Sequence, residues 1–153
     1  MEDMTRGAHW DVLLVVAVGG GLGSLARYGL AEAIPHPEGG FAVATLLTNI
    51  TGCLLIGALM VVITDSARPH RLLRPFLGIG VLGGFTTFST CVVDAIESVM
   101  AGNAGIAIAY ALASVAASLV AVVASMLLTR RVLHGFGRRS MVRRETENQH
   151  GGV

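Results

Sequence analysis

Lysine is absent from this chain, and charge of any kind is scarce. Only 14% of its 153 residues are charged, and every one of the eleven basic residues is an arginine. The scarcity is organised. Residues 41–64, 75–93 and 104–129 carry no Asp, Glu or Arg, and each block reaches the roughly 20 residues needed to span hydrocarbon. That leaves no room for a soluble domain. Cysteine is almost missing too. Cys53 and Cys91 both fall inside expected spans, which argues against a disulfide framework of the secreted kind. The five histidines lie in loops or tails without metal-ligand spacing. No nucleophile–base pair or phosphate-cradling loop stands out, so an enzyme is not expected, and no nucleic-acid partner is expected either.

What remains is apolar. Hydrophobic residues make up 53% of the chain, and the mean hydropathy is +0.68. A fourth, weaker block over about 12–34 has Arg27 and Glu32 near its far end. The expectation is an all-α, multi-pass membrane protein with four transmembrane helices, at about 12–34, 41–64, 72–99 and 104–130. They form one domain over 12–131, between a short N-terminus (1–11) and a flexible basic tail (132–153) that fixes topology or touches anionic lipid. The first block reads as a retained span, since Gly19-Gly20-Gly21-Leu22-Gly23-Ser24 offers no clear signal-peptide cleavage site. Arginine placement sets an orientation. Arg6, Arg68, Arg71, Arg74, Arg130, Arg131, Arg138, Arg139, Arg143 and Arg144 fall on one side of a four-span chain, against Arg27 alone near the other. By the positive-inside rule, both termini are expected in the cytoplasm of a cell-membrane protein.

The third block is a poor helix. Residues 78–91 hold four glycines and four hydroxyl residues in fourteen positions, and each glycine costs about 1 kcal/mol relative to alanine in a helix interior. A break at bilayer depth frees backbone groups, and is tolerated only where it is buried in protein or lines a polar cavity. In the second block, Thr45, Asn49 and Gly52 share one helical face. Asn49 either glues helices together or contacts an ion or ligand, its amide donating two hydrogen bonds without charge. Tyr110, Ser114 and Ser118 make a hydroxyl stripe on the fourth block, readable as a packing face or as a polar track. Gly19-x-x-x-Gly23 and Gly80-x-x-x-Gly84 read as close-contact faces. No acidic residue lies centrally in any block; Glu32, Asp94 and Glu97 sit towards the ends. A proton-coupled exporter usually needs an intramembrane carboxylate, and a cation pore often shows an acidic ring. A neutral lining of amide, hydroxyl and phenyl edges suits a small anion, held weakly enough to leave again.

Three stretches then matter together: Gly20-Gly21-Leu22-Gly23-Ser24-Leu25-Ala26-Arg27-Tyr28, Thr45-Leu46-Leu47-Thr48-Asn49-Ile50-Thr51-Gly52 and Gly83-Gly84-Phe85-Thr86-Thr87-Phe88-Ser89-Thr90. In their order and spacing the chain resembles the Fluc/CrcB fluoride channels along nearly all of residues 12–131. The resemblance implies a fluoride-selective channel that lets the ion leave the cytoplasm passively. It implies an antiparallel, dual-topology dimer with two pores between the subunits, and a third helix broken near the bilayer midplane. It further implies a structural sodium ion, not transported, held by the backbone carbonyls of Gly83 and Thr86. Asn49, Phe88, Ser89, Thr90, Cys91, Tyr110, Ser114 and Ser118 would line the pore, and Arg27 a vestibule.

Two departures from the family pattern stand out. Members commonly end the third motif Phe-Ser-Thr-Phe, whereas here it reads Phe88-Ser89-Thr90-Cys91, and a thiol lacks the aromatic edge. The arginine bias also opposes insertion of one chain in both orientations. A heterodimer with an oppositely oriented paralogue, which supplies the missing phenylalanine, accommodates both; a homodimer inserted both ways is the alternative. Two rivals from other classes remain. A four-span drug or cation exporter subunit lacks its central carboxylate here. A non-transporting assembly subunit explains the small residues, but not the glycine cluster, Asn49 and the hydroxyl stripe together.

Overall fold

In hydrocarbon a backbone has no partner but itself, and uninterrupted apolar sequence becomes helix. The computed structural model describes the backbone of residues 2–35, 39–66 and 70–150, and the side chains of residues 10–35, 39–66 and 70–133. Helix α1 spans Glu2–Ala33 and α2 spans Val43–Asp65. The third apolar stretch comes in pieces: a π-helix over Arg74–Leu82, a single turn α3 over Gly83–Phe85, and α4 over Ser89–Met100. Helix α5 runs Ala104–His150. Four stretches, Trp10–Ala33, Val43–Asp65, Arg74–Met100 and Ala104–Leu133, are long and apolar enough to cross a membrane. The all-helical, four-span expectation holds.

Leu13, Leu25, Leu112 and Leu128 are exposed. Lipid tails are as apolar as leucine, so helices gain little by hiding such side chains from one another. Close backbone approach does more. α1 packs chiefly on the π-helix and α3, and α2 chiefly on α5. The two glycine motifs meet each other at the first of these contacts. A Cβ on Gly19 would lie 2.7 Å from the Phe76 carbonyl oxygen and 3.1 Å from Gly80 Cα. One on Gly23 would run into the Val81 carbonyl oxygen, and one on Gly84 into that of Gly20. At the second contact, a Cβ on Gly57 would lie 2.6 Å from the Val122 carbonyl oxygen. The Ser125 hydroxyl also donates to the Leu54 carbonyl at 2.5 Å.

Helical winding stops after Phe85. Thr86 has extended dihedrals (φ −73°, ψ 151°), and residues 86–88 are not helical before α4 begins at Ser89. A tight turn between α4 and α5 passes through Gly102 at φ 82°, a left-handed conformation that glycine adopts without steric cost. An exposed ion pair, Arg71 to Asp11 at 2.7 Å, joins the turn before the third stretch to α1; exposed pairs contribute little stability. These contacts bring the 86–88 coil against α2, beside a recess that α2 and α5 help to wall.

Candidate functional site

The recess is a cavity of about 310 Å³. Asn49 and Cys53 of α2 form one wall, and Ser114, Val115, Ser118 and Leu119 of α5 another. The coil residues Thr86, Thr87 and Phe88, with Cys91 one turn into α4, complete it. The periodicity of α2 and α5 accounts for the grouping: Asn49 and Cys53, like Ser114 and Ser118, are four residues apart on one helical face.

Asn49 is buried, and both ends of its carboxamide are engaged. Its Oδ1 accepts the Thr87 N–H at 2.8 Å, and its Nδ2 donates to the Thr87 carbonyl at 2.9 Å. Gly52, one helical turn along, leaves room for the Thr86 methyl, which a Cβ there would strike. Thr87 Oγ1 accepts the Thr90 N–H at 3.1 Å, donates to Thr90 Oγ1 at 3.0 Å and lies 3.3 Å from Ser89 Oγ. Thr87 therefore caps the start of α4 from two residues before its first helical residue, Ser89. Phe88 is 76% exposed, its ring standing off this chain. Ser89 and Thr90 belong to the hydroxyl cluster around Thr87 rather than to the cavity wall.

Tyr110 also stands apart from the wall. It is 1% exposed and packs with Cys91 and Ala42 in the small apolar core. Its ring meets Phe41 edge-on at 5.2 Å, and its hydroxyl donates to Asp94 Oδ2 at 3.0 Å. Asp94 is itself buried, at 8% exposure. Sequence reasoning did not anticipate that pair, because distance along the chain sets Asp94 near a span end and says nothing of what packs over it. From the sequence Cys53 reads only as a disulfide candidate, yet the Asn49 face extended by one turn reaches it.

Arg27 lies on α1, away from the cavity. Its Nε donates to the Gly84 carbonyl at 3.3 Å, which Ser24 Oγ also approaches at 3.4 Å. Through this segment the carbonyls of Leu82, Gly84, Thr87 and Phe88 accept hydrogen bonds. Among the described residues, those of Gly83 and Thr86 accept none. Free carbonyl oxygens are hard donors that suit a hard cation. No group of three or more His, Cys, Asp or Glu side chains that could hold a metal occurs among the described residues. The cavity walls thus offer uncharged donors, and the neighbouring backbone offers acceptors.

Comparison with known proteins is consistent along most of the chain. Residues 14–126 match the family described as CrcB-like protein, Camphor Resistance (CrcB). The chain is 47% identical over 124 residues to a Thermobifida fusca protein named fluoride-specific ion channel FluC 2, covering 81% of this chain and 92% of that one. A Streptomyces avermitilis protein of the same name is 54% identical over 99 residues, with 65% and 63% covered. In Streptomyces coelicolor, fluoride-specific ion channel FluC 1 is 48% identical over 122 residues, with 80% and 79% covered.

Proposed function

The chain belongs to the CrcB family, and from that premise we propose that it is a fluoride-selective ion channel of the cell membrane. The observation that carries the reading is the cavity beside the 86–88 coil, walled by a carboxamide, hydroxyls and a phenyl ring with no carboxylate among them. Amide and hydroxyl donors replace the hydration of a small anion without fixing it by a full counter-charge. α4 begins at this recess, and the N-terminal end of a helix carries partial positive charge, which favours an anion. Export is passive: hydrogen fluoride enters as a neutral acid, dissociates in a less acidic cytoplasm, and the channel returns the ion down its electrochemical gradient.

In this reading Asn49, Phe88, Cys91, Ser114 and Ser118 line the path, Ser89 and Thr90 hold Thr87 beside it, Tyr110 backs it through Cys91, Arg27 belongs to a vestibule, and the 86–88 coil is the midplane break of the third span. Two subunits pack antiparallel with the pores between them. The exposed ring of Phe88 at the recess is free to meet a second subunit there. The arginine bias and Cys91 favour an oppositely oriented paralogue as the partner of a chain whose termini are cytoplasmic. The numbered names FluC 1 and FluC 2 among its relatives fit organisms that carry more than one such chain. The free carbonyls of Gly83 and Thr86 fit a structural sodium ion, which when bound supplies a fixed positive charge beside the coil.

Fluoride efflux from liposomes holding the purified chain, read with a fluoride electrode and with chloride as control, tests the function. Selective, sodium-dependent fluoride release is expected from the chain with its partner. If neither the chain alone nor the pair with an oppositely oriented paralogue releases fluoride faster than chloride, the assignment fails.

A further inference from the structure

We propose that Asn49 is a positioning residue, whose carboxamide substitutes for the helical backbone at Thr87 and thereby sets the coil that shapes the cavity. The inference rests on the channel reading for its purpose but not for its chemistry. In an unbroken helix the Thr87 N–H would bond the Gly83 carbonyl, and the Thr87 carbonyl would receive the Cys91 N–H. The extended Thr86 removes the first bond. Neither bond is made; the two groups pair instead with Asn49 Oδ1 and Nδ2, at 2.8 Å and 2.9 Å, from a side chain 38 residues away. An unpaired backbone group in hydrocarbon is costly, so the clasp makes the coil tolerable at that depth.

The residue type follows from the geometry. One donor and one acceptor must lie side by side at the reach of a single methylene. Asn meets this requirement; Ser and Thr present one oxygen, Ala nothing, and Gln overshoots by a carbon. The consequence reaches beyond Thr87. Its hydroxyl gathers the Thr90 N–H and the Thr90 and Ser89 hydroxyls, so one amide on α2 orients the start of α4 and the ring of Phe88 between them. Asn49 has only one N–H left to offer an ion, because Nδ2 carries two and Thr87 takes one.

Residue-resolved amide hydrogen exchange on the full-length assembled protein, without fluoride, tests the clasp. In the wild type the Thr87 amide should exchange at least about tenfold more slowly than those of Phe88 and Ser89, which make no hydrogen bond among the described residues. Equal rates overturn the proposal, whether or not any variant folds. Asn49→Ala should abolish the difference. Asn49→Asp should keep more of it than Asn49→Ala, because a carboxyl oxygen still accepts the Thr87 N–H although the donor to the Thr87 carbonyl is lost. Ser114→Ala, on the same cavity but off the coil, should leave it intact. Loss of fluoride flux in Asn49→Ala with Thr87 exchange unchanged would show a direct ion contact instead, and overturn the positioning role. A protected Thr87 in a wild type that never conducts fluoride would refute the channel reading while the clasp stands.

Discussion

At the scale of single residues, Cys91 changes meaning once its neighbours are known. By motif it is a missing phenylalanine. In the structure it is 6% exposed, packed with Tyr110 and Ala42. Restoring the aromatic with Cys91→Phe forces a ring into that core, and overpacking of this kind costs about 1–3 kcal/mol. The expected outcome is a lower thermal midpoint for the purified protein and no gain in fluoride flux. A variant with unchanged midpoint and faster efflux would show that the site has room and that the pore lacked its second ring. Tyr110 and Asp94 carry a related lesson. Each was visible in the sequence as a polar residue in or near a span, but their 3.0 Å hydrogen bond depends on α4 leaning against α5.

At the scale of elements, glycine decides which helices meet. The spacing of Gly19 and Gly23, and of Gly80 and Gly84, announced two close-contact faces. That they face each other came from the packing of α1 on the third stretch. Not all glycines are equivalent in this respect. A Cβ on Gly84 would enter the Gly20 carbonyl, whereas one on Gly21 meets nothing within 4 Å. Gly84→Ala should therefore lower the melting temperature of the reconstituted protein, overpacking costing about 1–3 kcal/mol. Gly21→Ala should be neutral or stabilising, by up to about 1 kcal/mol from helix propensity. Similar losses from both substitutions would remove the special role of the crossing point. The same contact holds Ser24 and Arg27 against the Gly84 carbonyl, so an arginine that reads from sequence as a vestibule residue meets the third stretch at its glycines.

The whole molecule raises the question of partner and orientation. Ten arginines on one side of the expected topology, against one near the other, oppose translocation of the arginine-bearing loop and tail. Expressed alone in intact cells, the chain should show tags at both termini only after permeabilisation. Appreciable labelling from outside would establish dual insertion and move the weight to a homodimer. Co-expression with an oppositely oriented paralogue should leave that pattern unchanged and raise fluoride efflux above that of this chain alone. The surface of the single chain agrees with a further partner of some kind. Phe88, at the cavity, is among the most exposed apolar side chains of the described residues, so it is free to meet such a partner.

By itself the sequence determined the four spans and the helical class. Hydropathy and periodicity are sums over neighbouring residues, and lipid enforces them wherever the chain is apolar. The spacing of Asn49 and Cys53, and of Ser114 and Ser118, likewise placed each pair on one face, because 3.6 residues per turn is a local property. Only the tertiary structure decided who meets whom: Asn49 with Thr87 across 38 residues, Arg27 with Gly84 across 57, Tyr110 with Asp94 across 16. Those pairings follow from how closely the helices approach and at what rotation. Glycine contacts and buried polar groups settle that jointly, and no helical period relates partners that sit on different elements.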